Sequence, residues 1–290
     1  MTTDYKDKLT RFLFEDLGVR GEIVSLDNSF QDALALHNYP TVVAEQLGQM
    51  LASSILLSAT LKFDGSLIIQ IQGDGPISML VAQSNNQQTV RGLAHWDGEI
   101  KTGNLTSLFG DGRLTLTIKP NKGKAYQGIV ALEGESLAES LEAYFKQSEQ
   151  LKTRLWFAVN EQRAVAILLQ ELPAHQGEPA DWQRIEMLAD TVTSKELLEL
   201  PPEDVIHRLF HEELIRLYDP QDIEFKCDCS KEKVEASLIT LGYEDLAELL
   251  QEKGLVEVDC DFCNKHYQFD LIDIGQLFSQ GSKNISNRQH

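Results

Sequence analysis

Cys227-Asp-Cys229 and Cys260-Asp-Phe-Cys263 are the two stretches that decide the fold of this 290-residue chain. They contain all four of its cysteines, as a C-x-C pair and a C-x-x-C pair with 30 residues between them. The 226 residues before the first pair contain no cysteine. A chance distribution would not collect every cysteine into two close pairs, so we predict that the four thiols form one site.

Three chemistries use such a cluster: a metal site, a disulfide framework and a thiol redox centre. Structural zinc takes four tetrahedral ligands, which are usually two cysteine pairs from separate segments. A thioredoxin-like C-x-x-C lies where a strand meets a helix, whereas the strand-like Lys265–Phe269 follows this one. Cysteines that serve only as buried apolar residues would have no reason to occur in two close pairs. We therefore interpret the set as the ligands of one zinc ion: Cys227, Cys229, Cys260 and Cys263.

The composition is that of a globular protein with one large domain and a smaller one. The chain has a mass of 32.6 kDa, and 42% of its residues are hydrophobic, which is enough to form a substantial core. Residues 1–8 are charged and contain no apolar signal core. No uninterrupted apolar run approaches the ~18 residues of a membrane span. We expect a cytoplasmic protein without a membrane partner, in which thiols stay reduced.

The charge is acidic along the whole chain. The formal net charge is −19, divided as −6 for residues 1–178, −7 for residues 179–226 and −6 for residues 227–290. A protein that binds nucleic acid needs a basic surface for the phosphate backbone. The charge therefore argues against a zinc ribbon that binds nucleic acid, and we expect no such partner.

Hydrophobic periodicity predicts an α+β protein whose N-terminal domain is a mostly antiparallel sheet with helices. The three-to-four spacing predicts an amphipathic helix over 4–17 that Gly18 ends, and a long core helix over 41–60. Alternating or continuous apolar runs bounded by turn residues predict the strands. These strands are 20–26, 67–71, 77–82, 89–94, 113–119, 125–132, 154–159 and 164–169.

Two stretches resemble functional motifs, but we interpret both as structural. The turn Gly73–Pro76 lacks the third glycine of a dinucleotide fingerprint, because Ser78 stands in its place, and it lacks a Walker lysine. The stretch Gly134–Ala138 is similar to a nucleophile elbow. However, Ser136 and Glu139 form a capping box that would start a helix over 137–148. No catalytic triad is evident, so we do not expect an enzyme.

The last part of the chain predicts a helical linker and a small C-terminal zinc domain. We place the N-terminal core domain at 1–172, the linker at 173–226 and the zinc domain at 227–290. A polar stretch over 172–179 precedes three linker helices, and the zinc domain has helices from Ser230 and Tyr243 and a short last one. The predicted helices are 182–191, 194–200, 203–218, 231–241, 243–253 and 274–278.

Three histidines are alternative metal ligands. His207 and His211 are four residues apart and could share an ion, but Glu212 follows the second, so they do not form H-E-x-x-H. We interpret them as surface residues of a helix. His266 could replace one thiolate, but four cysteines already complete a zinc site.

The cysteine segments, together with their surroundings, resemble the bacterial heat shock protein 33 family of redox-regulated chaperones that do not use ATP. The resemblance is specific in the cysteine pattern and covers nearly the full length of the chain. It includes these stretches: Phe225–Ser230, Val256–Cys263, Tyr267–Asp270, Arg208–Glu213 and Gly73–Pro76.

This resemblance implies a chaperone that is inactive when it is reduced and zinc-bound. Peroxide with heat, or hypochlorous acid, would release zinc and form two disulfides, Cys227–Cys229 and Cys260–Cys263. The zinc domain and linker would then unfold. The activated protein, commonly a homodimer, would hold unfolding client proteins until ATP-dependent foldases take over.

The size of the last segment supports such a switch independently. A domain of about sixty residues has a marginal core, and structural zinc contributes roughly 10–16 kcal/mol of apparent folding free energy in small zinc peptides. That range exceeds the ~5–15 kcal/mol stability of a typical domain, so losing the metal would unfold this one. A nucleic-acid factor and a thiol oxidoreductase that turns over a dithiol substrate remain the alternatives.

Given the implied disulfides, we predict that Cys260–Cys263 forms first, because a C-x-x-C pair closes a less strained ring than a C-x-C pair. Alkylation of the remaining thiols during oxidation, followed by mass spectrometry, measures the order. Trapping Cys227–Cys229 first, with metal still bound, would contradict it.

Overall fold

The computed structural model describes residues 5–60, 64–172 and 178–286. The chain divides into two compact units, residues 1–226 and 227–290. Helices and antiparallel sheets occur in both units, which confirms the predicted α+β class.

The bounds of the elements are as follows. The strands are β1 (Lys8–Phe14), β2 (Val19–Leu26), β3 (Gly65–Gln72), β4 (Ile77–Asn85), β5 (Thr89–Trp96), β6 (Arg113–Pro120), β7 (Tyr126–Ala131), β8 (Thr153–Val159), β9 (Ala164–Glu171), β10 (Ile215–Leu217), β11 (Gln221–Asp222), β12 (Glu224–Phe225), β13 (Val256–Asp259) and β14 (His266–Phe269). The helices are α1 (Asn28–Leu34), α2 (Thr41–Thr60), α3 (Leu105–Phe109), α4 (Leu137–Tyr144), α5 (Pro179–Ala189), α6 (Ser194–Glu199), α7 (Pro202–Phe210), α8 (Lys231–Leu241), α9 (Tyr243–Lys253) and α10 (Leu271–Ser286). A π-helical turn, Phe145–Glu149, continues α4.

Two six-stranded sheets form the first unit. Sheet A has the order β10-β1-β2-β9-β8, with β11 also paired to β1, and sheet B has the order β12-β5-β4-β3-β6-β7. Every pairing in them is antiparallel except that of β12 with β5. The last two predicted strands, 154–159 and 164–169, are confirmed as β8 and β9, and they pair as a hairpin at one edge of sheet A.

Helix α2 is the core helix of the first unit, as its apolar spacing predicts. Twelve of its twenty residues are buried, and it contacts strands of both sheets. Its length and composition would allow it to cross a membrane, but 67% of its most apolar window is buried inside the protein. Such burial is typical of the central helix of a folded domain. The predicted apolar stripe also included Leu61, which lies outside the described residues.

The predicted helix over 4–17 is wrong, because Lys8–Phe14 forms strand β1. Leu9 and Phe12 are buried in different apolar clusters, one on each face of sheet A. A strand that is buried on both faces has no clean polar alternation, and its apolar spacing then imitates a helix. Gly18 has φ 62° and lies in the turn between β1 and β2. It therefore belongs to a turn between two strands and does not end a helix.

The predicted helix over 203–218 is also too long, because α7 ends at Phe210. The following residues turn back and form β10, which pairs with β1. Leu214, which the predicted helix would include, is 63% exposed. The open edge of β1 provides backbone hydrogen bonds that local helix propensity cannot match, and Tyr218 N–H donates to Arg11 O at 3.0 Å. Conversely, α10 extends well beyond the predicted 274–278.

The two motif-like stretches have structural roles. An added Cβ at Gly73 would lie 1.9 Å from Phe109 O, so glycine permits a close backbone approach there. Ser136 Oγ accepts the Glu139 N–H at 3.3 Å and caps α4, as predicted. The Glu139 carboxylate accepts a hydrogen bond from the Glu135 N–H at 2.8 Å. In a complete capping box it would accept the N–H of the cap residue, Ser136.

Helices α5–α7 cover one face of sheet A. Eight of their side chains share an apolar cluster, which we call the cover cluster, with eight strand side chains. The helix members are Trp182, Ile185, Ala189, Leu197, Val205, Ile206, Leu209 and Phe210. The strand members are Phe12, Phe14, Val19, Ile23, Ala158, Val165, Ile167 and Leu169. The division into a core domain over 1–172 and a linker over 173–226 stays a prediction, and residues 173–177 lie outside the described residues.

We predict that Phe210→Ala loosens α7 from sheet A. The centroid of the Phe210 ring lies 5.0 Å from that of Phe14, with the rings edge to face, and 6.2 Å from that of Phe12. Truncating a buried phenylalanine typically costs about 3–5 kcal/mol. Amide hydrogen exchange should therefore show faster exchange in α7. Met187→Ala on α5, where the side chain is 71% exposed, is the matched control. Equal protection of α7 in both variants would contradict the prediction.

Candidate metal centre

The second unit holds each cysteine pair in a short ordered segment. Ser230 follows the first pair and caps α8, since its Oγ accepts the Lys233 N–H at 3.3 Å. The second pair lies in the turn between β13 and β14. In that turn Cys260 O accepts the Cys263 N–H at 3.2 Å and the Asn264 N–H at 2.7 Å. This tight turn directs both of its thiols to one side.

The structure brings all four predicted cysteines together. Their Sγ atoms all lie within 4.8 Å of one another, and each residue is half-buried. Cys227 Sγ is 3.7 Å from Cys260 Sγ, and Cys229 Sγ is 3.4 Å from Cys263 Sγ. A tetrahedron with the usual 2.3 Å zinc–sulfur bonds has edges of about 3.8 Å. The cluster therefore suits a tetrahedral ion with four thiolate ligands.

The thiols of Cys229, Cys260 and Cys263 differ in how readily they lose a proton. Burial raises the pKa of Cys260, and it raises the pKa of Cys263 to about 12, where neighbouring thiols contribute. For Cys229, burial also favours the neutral thiol, but hydrogen bonds from Tyr267 and the other cysteines outweigh it and lower the pKa to about 7. The thiolate is thus favoured at Cys229 near neutral pH, whereas burial favours the neutral thiol at Cys260 and Cys263.

Tyr267 is a functional residue that the sequence analysis did not identify. Its Oη donates a hydrogen bond to Cys229 Sγ at 3.1 Å, and its side chain is only 8% exposed. The sequence places it on a strand after the second knuckle, but nothing in the local pattern indicates which cysteine it contacts. A donor to a metal-bound sulfur orients the ligand and disperses its charge.

None of the histidines named above joins this cluster. His266 Nδ1 lies 2.7 Å from Asp259 Oδ1, and its Nε2 lies 3.6 Å from Glu257 Oε1, so carboxylates occupy both ring nitrogens. His207 and His211 are exposed on and next to α7, with ring centroids 6.0 Å apart. Within the described ranges, the four cysteines are the one group of three or more potential ligands close enough to share an ion.

The apolar core around the centre is small. Among the described residues it contains seven buried side chains, and Cys229 and Cys260 pack against it. Its members are Leu238, Leu246, Leu250, Val256, Tyr267, Phe269 and Ile274. Such a core alone gives a domain of this size marginal stability. A metal ion at the cysteines would connect the two segments that the core joins only weakly.

Comparisons with known proteins agree with the geometry. The family model described as Hsp33 protein matches residues 7–270. A 33 kDa chaperonin of Nitrosococcus oceani is 52% identical over 96% of both chains, and one of Pseudomonas aeruginosa is 46% identical over 99% of both. The crystal structure of the 33 kDa chaperonin from Thermotoga maritima, described as a heat shock protein 33 homolog, superposes with a TM-score of 0.83 at 25% identity. It covers 96% of this chain and 99% of its own.

We predict that Tyr267→Phe weakens metal binding about 10-fold, because outer hydrogen bonds to metal ligands typically contribute 10–100-fold. Chelator competition with Zn²⁺ as the probe ion measures this change. Tyr243→Phe removes a hydroxyl from a half-exposed ring of the same unit and should leave the affinity unchanged. Equal affinity of the Tyr267→Phe variant and the unchanged protein would refute a role for this hydrogen bond.

Proposed function

The chain belongs to the Hsp33 family, and from this premise we propose that it is a redox-regulated, ATP-independent holdase chaperone. In the reduced state, one zinc ion is bound by Cys227, Cys229, Cys260 and Cys263, and the protein is inactive. Oxidation releases the zinc, unfolds the zinc domain and the linker, and exposes a surface that binds unfolding proteins. The observation that carries this proposal is the cluster of four sulfurs within 4.8 Å.

Bound zinc supplies charge compensation for the four thiolates and connects the segment of the first pair to the knuckle of the second. The protein's own groups prepare this state. Tyr267 donates to Cys229 Sγ, which favours the thiolate there. The turn hydrogen bonds to Cys260 O hold the knuckle closed. The residues thus keep the sulfurs together and ready to react.

In the oxidised state we propose the disulfides Cys227–Cys229 and Cys260–Cys263. Each forms when two thiols lose two protons and two electrons to an oxidant such as peroxide, which is reduced to water. The spacing of all four sulfurs within 4.8 Å allows either pairing, and two of the present sulfur contacts cross between the segments. A sulfur committed to a disulfide is no longer a thiolate ligand, so the metal loses its site.

The cover cluster is the surface that we propose for client proteins. Its eight strand side chains are at most 4% exposed while α5–α7 lie on them. If these helices detach, sheet A presents a continuous apolar face. Contiguous apolar surfaces of this kind bind other apolar chains, and unfolding proteins expose such chains.

Polar contacts hold the helices less firmly than this apolar face does. Arg154 on β8 pairs with Glu186 on α5, and its Nη2 lies 3.1 Å from Asp190 Oδ1. These side chains are partly exposed, and pairs of this kind contribute about 0–1 kcal/mol each. Detachment of α5–α7 therefore depends mainly on their apolar contacts with sheet A. When the zinc domain is oxidised and unfolded, the linker is no longer followed in the chain by a folded domain.

We also propose the partners of this protein and the compartment in which it acts. We propose unfolded or oxidised proteins as clients, a homodimer as the oxidised form and ATP-dependent foldases as downstream partners. The protein would act in the cytoplasm and bind stoichiometrically, without catalysis. The division into a core domain over 1–172, a linker over 173–226 and a zinc domain over 227–290 is part of the same proposal. The net charge of −19 argues against nucleic acid as a partner.

Light scattering from a heat-unfolding client protein tests the function. Peroxide-treated protein should suppress aggregation at about stoichiometric amounts, and the reduced, zinc-loaded protein should not. Equal suppression by both forms, or none by either, would reject redox control. Catalytic turnover of a dithiol substrate would favour an oxidoreductase instead, and a salt-dependent shift of RNA or DNA would favour a nucleic-acid factor.

We predict that Leu209→Asp activates the reduced protein. Leu209 is 4% exposed in the cover cluster, and a carboxylate there costs several kcal/mol, which undocking relieves. The variant should suppress client aggregation without oxidant while zinc stays bound. His207→Asp places the same charge on the exposed side of α7 and is the control. Activation of both variants, or of neither, would show that the cover cluster does not control client binding.

A further inference from the structure

A cleft of the first unit contains three charged side chains, each of which has one buried polar atom without a hydrogen-bond partner among the described residues. Glu22 on β2 is 2% exposed, and its register neighbour on β1 is Arg11. Arg20 precedes it on the same face of β2. Glu22 Oε2, Arg11 Nε and Arg20 Nε are buried and make no hydrogen bond within the part of the chain that the structure describes. Nor does any ion pair join Glu22 to either arginine there.

Buried polar atoms of this kind are rare, because each costs about 1–3 kcal/mol when unpaired and more when charged. Arg20 satisfies one of its other nitrogens by donating to Gln170 Oε1 on β9. Arg11 makes no such contact through its side chain. Where a native protein keeps such a group, an ordered water, an ion, strain or a functional role accounts for it.

The three groups line one cleft with a volume of about 330 Å³. Leu13, Ala59 at the end of α2 and Tyr218 form part of its wall. The volume lies at the lower end of the ~300–1,000 Å³ that is typical of small-molecule sites, and such sites combine apolar walls with a few converging polar groups. The cleft is thus large enough for a small molecule and larger than a single water needs.

We propose that this cleft binds the oxyanion group of a small molecule, a phosphate or a carboxylate, between the guanidinium groups of Arg11 and Arg20. Two unpaired N–H donors match oxyanion acceptors, and the two positive charges outnumber the one carboxylate. This site is separate from the cysteine cluster and goes beyond the proposed chaperone function.

Glu22 makes the binding depend on pH. Burial raises its pKa to about 7, although Arg20 and Arg11 act in the opposite direction. Below this pKa the neutral carboxyl no longer repels an anion and can donate a hydrogen bond, so affinity should rise as pH falls through about 7. The other charged or titratable groups of the cleft are Arg11, Arg20 and Tyr218. Strand β9 places the neutral Leu168 opposite Glu22, and α2 contributes Ala59.

Bound anion would also connect two parts of the fold. Tyr218, which follows β10, donates its backbone N–H to Arg11 O at 3.0 Å. Arg11 and Tyr218 both line the cleft, so a ligand bound there would lie between β1 and the chain after α7. By mass action it should stabilise the folded unit in proportion to its occupancy.

Titration calorimetry on the full-length reduced protein tests the site. The probes are sulfate, inorganic phosphate, acetate and succinate, at an ionic strength held constant with chloride. We expect saturable one-site binding of at least one probe. The preference between phosphate and the carboxylates identifies the class of ligand. Arg11→Gln and Arg20→Gln should each weaken binding about 10-fold or more. Arg113→Gln, an exposed arginine on β6, removes the same charge elsewhere and should leave it unchanged.

A second readout does not depend on the arginine variants. Sulfate keeps its charge near neutral pH, so its affinity should rise from about pH 8 to about pH 6 in the unchanged protein and stay level in Glu22→Gln. Absence of saturable binding by all four probes, meaning a cleft that holds only water, would overturn the proposal. Equal weakening by Arg113→Gln, or a pH dependence that survives Glu22→Gln, would overturn it as well.

Discussion

Sheet A has apolar side chains on both faces, and neither face can remain in water without a large loss of hydrophobic stabilisation. Helix α2 covers one face and is itself buried among strands of both sheets. Helices α5–α7 cover the other face, and their own outer sides are polar or exposed. The first cover is the core of the unit, whereas the second is a layer that could leave while the core persists. This asymmetry is the physical basis of our proposal that α5–α7 detach from sheet A.

In contrast, the second unit buries only a small apolar core. Among its described residues, seven apolar side chains are buried, and two cysteines pack against them. A unit of this size gains much of its folding free energy from a metal bound at four thiolates. With the metal binding that we propose, its stability would depend on the protonation and oxidation state of the sulfurs. Chemical change at a few atoms can therefore decide whether the whole unit stays folded.

The prediction from sequence succeeded where one local signal decided the structure. The alternating strands of sheet B, the Ser136 and Ser230 helix caps and the helix over 243–253 are all as predicted. It failed at Lys8–Phe14, where burial on two faces gave a helix-like spacing. It also failed after Phe210, where the open edge of β1 recruits the chain as a strand. Both errors occur where a distant partner outweighs local propensity.

The sequence by itself determined that the four cysteines act together, that the chain is α+β and that it resembles the Hsp33 family. Those conclusions depend on residue type and spacing along the chain, which are local and covalent properties. Only the tertiary structure decided that Tyr267 contacts Cys229, and that Arg11, Arg20 and Glu22 line one cleft, each with a buried polar atom that no described residue satisfies. Such contacts depend on strand register and burial, because the side chains that meet across a sheet or a turn are chosen by packing of the whole domain.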